Sequence, residues 1–264
     1  MYDLARFSLR LVCGIALMWC LMPRRDVSSG FFRIQMLVGL GLSVLAAVAF
    51  AQAGTPDTDG VPETTAAVIT AATARTLSVV LAAAAFCGSV LWTLERRAGG
   101  TWIVFGMATL AAATLLLATP LRSASFEPAA VAYAAELSAA ALLGAALAGM
   151  LLGHWYLTAP TMSLAPLERM TSVLGGAAVV RLVVAAVCLW FAHAAVEGTT
   201  HMMWLSLRWV AGVIAPLVLW LMVRRILRYR NTQAATGVLF VAVILTFIGE
   251  MTALLLEHDL GRPL

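Results

Sequence analysis

The chain has 264 residues, 62% of them apolar, a mean hydropathy of +0.95 and only 11% Asp, Glu, Lys or Arg. A soluble domain carries roughly 25% charged residues, so this composition excludes an ordinary soluble enzyme, a disordered chain and a small disulfide scaffold. It leaves an all-α, polytopic membrane protein. All 17 cations are Arg, and the net charge of +4 reads as basic loops beside a membrane, with no nucleic-acid partner implied.

A bilayer core needs ~20 apolar residues per crossing, which predicts eight helices in a single transmembrane domain over residues 1–264. The first covers Ala5–Met22. Arg6 and Arg10 before its apolar run mimic a signal peptide, but Pro23-Arg24-Arg25-Asp26 follows without a small-residue cleavage site. Cations there disfavour export, so the helix is read as retained. The second is Phe31–Ala53, followed by an acidic, Gly- and Pro-punctuated loop over Gly54–Pro62. The third is Arg75–Glu95, with Thr64–Ala74 as either a helical extension or an interfacial segment. Arg96 to Gly100 reads as a turn, and Thr101–Thr119 as the fourth helix, closed by Pro120. The fifth is Ala129–Tyr156, with Pro160 and Pro166 in the loop after it. Met170–Ala195, Met203–Ile226 and Ala234–Leu256 complete the set, and Pro216 lies deep inside the seventh.

With eight spans, the loops on one side hold ten arginines: Arg24, Arg25, Arg33, Arg96, Arg97, Arg169, Arg224, Arg225, Arg228 and Arg230. The other side holds five, at Arg6, Arg10, Arg122, Arg208 and Arg262, and Arg75 and Arg181 fall within helices. Cation excess marks the cytoplasmic side, which predicts both termini outside, in a bacterial inner membrane. If the first helix is interfacial, the count is seven and the N-terminus lies inside.

Small residues recur at four-residue spacing, as Gly39, Ser43 and Ala47, and as Gly144 and Ala148 beside Ala145, Gly149 and Gly153. Such seams let helix backbones approach closely, within the chain or against a partner. The Gly30-Phe31-Phe32 start of the second helix and Gly237-Val238-Leu239-Phe240 in the eighth both follow a basic turn with small residues ahead of them.

Ionisable groups inside a bilayer need a physical reason. Glu136 and Glu250 each lie about seven residues from the outer ends of their predicted helices, so both sit ~10 Å deep. Arg181 lies near mid-bilayer, within side-chain reach of either. The trio reads as a proton or quinone-linked relay, or as a buried ion pair with one protonated carboxyl. At the basic end of the fifth helix, His154-Trp155-Tyr156 combines belt aromatics with an imidazole that can hydrogen-bond a quinone carbonyl. Glu168 and Arg169 lie near enough in sequence to complete such a pocket, or to form a solvated ion pair.

Haem b needs two imidazoles at one depth, and His193, His201 and His258 fall at predicted helix ends, which disfavours it. His201-Met202-Met203 is an isolated tripeptide and carries no metal site. Cys13, Cys20, Cys87 and Cys188 lie in apolar runs without CxxC spacing, so zinc is unsupported. No phosphate-binding loop, HExxH or GxSxG motif is present, so catalysis by the isolated chain is not expected.

The eight-helix layout and the Gly249-Glu250 dipeptide late in the last helix resemble the membrane anchors of the polysulfide-reductase and dimethyl-sulfoxide-reductase group. That resemblance implies both termini outside, no haem and a quinol site among the helices. The expected function is a non-catalytic membrane subunit of a respiratory or other electron-transfer complex. It would contact lipids and partner subunits and help to form a quinone or proton site. A proton-coupled small-solute transporter and a purely structural subunit are the alternatives.

Overall fold

A computed structural model describes residues 1–53, 65–120, 129–158, 162–192 and 198–260. All regular structure among them is helical: α1 (Tyr2–Leu21), α2 (Ser29–Ala53), α3 (Thr65–Thr93), α4 (Arg97–Leu117), α5 (Ala129–Thr158), α6 (Ala165–Ala192), α7 (Gly198–Leu207), a π-helical segment (Arg208–Ile214), α8 (Ala215–Arg228) and α9 (Thr232–Leu260). The run from α7 through α8 forms one crossing, so eight helices are long and apolar enough to span a membrane. The protein is an integral membrane protein. Helices suit the bilayer because each satisfies its own backbone N–H and C=O groups where water is absent.

Several helices start earlier than the apolar runs suggest. α3 begins at Thr65, so the segment before Arg75 is a helical extension. α4 begins at Arg97 and takes in Gly99 and Gly100; a Cβ at Gly100 would lie 2.7 Å from a Trp92 ring atom. The two glycines serve packing there, not a turn. Pro166 occupies the first turn of α6, where its missing N–H costs no helical bond. The seventh span starts at Gly198, which places His201 inside α7, and α9 runs on to include His258. His193 lies outside the described residues.

The helices group into two compact units, residues 1–20 with 28–120, and residues 21–27 with 121–264. In the first, α2 packs on α3 and α3 on α4. Phe32 of α2 stacks on Trp92 of α3 at 4.5 Å between centroids and 17° between planes. Trp92 in turn covers Gly100 of α4. α1 joins them through Trp19, whose indole N–H donates to Gln35 Oε1 at 3.4 Å, and Tyr2, whose hydroxyl donates to the Ala118 carbonyl at 2.7 Å.

In the second unit, α5 packs on α6 and α9, α6 on α8, and the whole seventh span on α9. Glycine sets the spacing. Gly175 of α6 lies flat under the Trp220 indole of α8, and Gly153 of α5 faces Thr236 of α9. A Cβ at Gly212 would lie 3.0 Å from the Gly249 Cα, so the π-helical segment and α9 meet backbone to backbone. Both small-residue seams expected from the sequence therefore face helices of their own unit, with Gly39 against Trp19 and Gly149 against Leu239. Trp102, Trp190 and Tyr229 are the outward anchors, each at least three-quarters exposed near a helix end.

Candidate functional site: a buried charge cluster

Among its described residues the second unit buries four charged side chains, one from each of its spans. Glu136 on α5, Arg181 on α6, Arg208 at the head of the π-helical segment and Glu250 on α9 are each no more than 1% exposed. Arg208, Arg181 and Glu250 all lie about ten residues from the nearer end of their spans, or ~15 Å along the helix axis. Three spans thus deliver charge to one level near mid-bilayer.

The centre is a two-pronged ion pair. Arg181 Nε donates to Glu250 Oε1 at 2.8 Å, and Arg181 Nη2 donates to Glu250 Oε2 at 2.8 Å. Fork-to-fork geometry uses the planarity of both groups and is among the stronger pairings available to them. The third nitrogen, Nη1, donates to the Ala135 carbonyl at 3.3 Å and to Ser138 Oγ at 3.4 Å, both on α5. Arg181 therefore ties α6 to α9 and α5 together. Of the two carboxylates within its expected reach, Glu250 takes the fork. Glu136 is buried on α5 beside Ala135, the residue whose carbonyl Arg181 reaches.

Arg208 adds a second cation, with Nη1 3.8 Å from Glu250 Oε1. Sequence reasoning counted it among the outer loop charges. The earlier start of α7 moves it inside the span, and the spacing to Gly212 was the available signal. A Cβ at Gly212 would lie 3.6 Å from Arg208 Nη1, so glycine leaves the guanidinium room along its own helix. Arg6 and Arg10 were likewise counted as flanking charges; both lie inside α1 and are 2% exposed.

The π-helical segment has a local cause. Pro216 has no N–H, and its ring would clash with the carbonyl four residues back in an α-helix. The turn ahead of it widens instead, and the Ala215 N–H bonds the Val210 carbonyl, five residues back. Such π turns are rare and concentrate at functional sites. This one carries Arg208 at its start and Gly212, the contact to α9, in its middle.

His154, Trp155 and Tyr156 are divided by the helix. Successive residues point ~100° apart, so they do not share a wall. Tyr156 is buried, and its hydroxyl donates to the Ser163 carbonyl. His154 is exposed and meets the ring of Phe240 edge-on, at 6.5 Å between centroids. Trp155 is half-buried between them, and Glu168 and Arg169 are exposed on the first turns of α6.

No family, curated protein or solved structure matches the chain. Among the described residues, no three His, Cys, Asp or Glu side chains gather as a metal site would require.

Proposed function

We propose that this chain is a membrane subunit of an electron-transfer complex, and that the second unit handles a proton for it. The observation that carries the reading is the buried set Glu136, Arg181, Arg208 and Glu250, one charged side chain from each span of the second unit. Guanidinium groups do not give up their protons in proteins, so any proton exchanged here moves on a carboxyl. Both oxygens of Glu250 are held by Arg181. In this reading Glu250 is the counter-charge held by Arg181, and Glu136, the second buried carboxyl of the set, exchanges the proton. Partner subunits supply the redox centres, and the exposed His154–Phe240 face offers a quinone headgroup an imidazole and an aromatic edge. The topology resemblance to the reductase anchors is compatible with this role.

The arginine bias supports a bacterial cytoplasmic membrane with both termini outside. By the helix bounds Arg6, Arg10 and Arg208 lie inside helices, and so do Arg33, Arg97, Arg169, Arg224, Arg225 and Arg228, close to the ends of theirs.

A second reading is a proton-coupled small-solute transporter. The π-helical break with Pro216, beside Arg208 and Glu250, favours it, because interrupted spans line many transporter sites.

Purification from native membranes in mild detergent separates the readings. Stoichiometric partners with haem or iron–sulfur absorbance, and electron flow that fails in Glu136→Gln, support the subunit role. A chain that purifies alone and drives proton-dependent solute uptake in vesicles supports the transporter. Electron flow that survives neutralising all four charges overturns the proton role.

A further inference from the structure

We propose that the end of the seventh span is a binding site for an anionic phospholipid, with the phosphate held by Arg224, Arg225 and Arg228 and an acyl chain lying along α8. This inference does not depend on the electron-transfer reading.

The sequence sets these arginines apart. Three other basic stretches carry an acid beside the cations, as Arg24-Arg25-Asp26, Glu95-Arg96-Arg97 and Glu168-Arg169. Arg224, Arg225, Arg228 and Arg230 have none, since no Asp or Glu occurs between Glu197 and Glu250. All four are exposed, and among the described residues no ion pair engages any of them. The C-terminus of α8 supplies only about half a negative charge against them. Like charges on adjacent turns repel, so an anion from outside the chain is stabilising here.

The same helix gives that anion an apolar tail rest. Ile214, Val218 and Leu221 are each about half exposed. Arg225 and Arg228 continue their spacing of four, three, four and three residues, so the five side chains share one face. Ile214 to Arg225 covers ~16 Å along the axis, and one leaflet of a ~30 Å hydrocarbon core is ~15 Å deep. A chain lying on Ile214, Val218 and Leu221 therefore brings its phosphate to Arg225 and Arg228. Guanidinium groups suit that phosphate because their planar N–H pairs match its oxygens.

Arg224 is held in place at the edge of this face. Its guanidinium carbon sits 5.5 Å from the centroid of the Trp220 ring, over the ring, in a cation–π contact. Trp220 in turn lies on Gly175 of α6. The next residue of α6, Gly176, is exposed, and a Cβ there would meet nothing within 4 Å. Val179 and Val183 extend the same stripe and are also exposed. This open strip beside the Trp220 contact leaves room for a second acyl chain.

The test titrates dioleoyl-phosphatidylglycerol or dioleoyl-phosphatidylcholine into the delipidated full chain in detergent and follows bound lipid by native mass spectrometry. The expected result is preferential binding of the glycerol lipid, because the choline ammonium cancels its own phosphate. Each Arg near an anionic surface is worth about fivefold, so Arg224→Gln, Arg225→Gln and Arg228→Gln together should weaken binding about 100-fold. Arg224→Lys, Arg225→Lys and Arg228→Lys together keep the charge and should retain the preference. Arg96→Gln with Arg97→Gln, in the stretch that carries Glu95, should leave it unchanged. If the triple Gln variant does not fold, Arg225→Gln alone should still lose about fivefold. Equal binding of the two lipids, displacement of the glycerol lipid by an equal concentration of inorganic phosphate, or unchanged binding in the Gln variants overturns the site.

Discussion

The two units solve the same packing problem with different chemistry. Lipid tails are as apolar as Leu, so helices in a membrane gain little from burying apolar surface against each other. The first unit relies on aromatic plates: Phe32 on Trp92, Trp92 on Gly100, and Trp19 against Gly39. The second relies on charge and backbone contact: Arg181 between Glu250 and α5, Arg208 beside Glu250, and Gly212 against Gly249. Aromatic packing is non-polar and tolerates small shifts. A buried ion pair is all-or-none, because removing one partner leaves the other charged in a medium that cannot solvate it.

That difference predicts an order of mutational effects. Glu250→Ala should be the most damaging, since it leaves two guanidinium groups without their shared carboxylate. A loss of about 3–5 kcal/mol is expected, read as a lower unfolding midpoint in detergent. Adding Arg181→Met and replacing Glu250 by Leu should recover part of the loss, with Arg208 responsible for the remainder. If the double variant is no better than the single one, the pair is not the source of the penalty.

Trp92→Ala tests the aromatic unit. It removes the plate between α2 and α4 and should cost about 3–4 kcal/mol. The contact between Gly100 and Trp92 then loosens, so adding Gly100→Ala to Trp92→Ala should be better tolerated than Gly100→Ala alone. Equal effects in both backgrounds would show that Trp92 does not limit the approach of α4.

The glycine contacts give a direct contrast. A Cβ at Gly249 would overlap the Gly212 backbone, which cannot move aside without shifting a span. Gly249→Ala should therefore cost about 1–3 kcal/mol. A Cβ at Gly39 would lie 3.1 Å from a Trp19 ring atom, a side chain that can yield by a few tenths of an ångström. Gly39→Ala should cost less than Gly249→Ala, and the reverse order would mean that the Gly212–Gly249 approach is not a close seam. The smallest effect is expected for Tyr156→Phe, which removes one hydrogen bond to Ser163 and should cost about 0.5–1 kcal/mol.

Much of the charge cluster could be read from position along the helices. Arg181 and Glu250 lie far from the ends of long apolar runs, and depth alone brought them within reach of each other. Glu136 was singled out by the same argument and is buried. Arg208 escaped because it stood close to the predicted start of the seventh span. Polar residues such as Thr199, Thr200 and His201 concealed another turn of helix ahead of it. Arg6 and Arg10 escaped for the same reason, since charges near a terminus read as flanks. His154, Trp155 and Tyr156 looked like one group because they are consecutive, but helical rotation sends Tyr156 inward and His154 outward.

The amino-acid sequence by itself determined the class, the eight crossings and the asymmetry of the loop arginines. These follow from the transfer free energy of each segment between water and lipid, a local property that composition reports. Only the tertiary structure decided that Glu250 takes the Arg181 fork, that Arg208 stands beside the same carboxylate, and that the seventh span widens into a π-helix against Gly249. Arg181 and Glu250 are 69 residues apart. No periodicity within either helix encodes which distant partner it will face; helix packing, set here by glycine contacts, makes that choice.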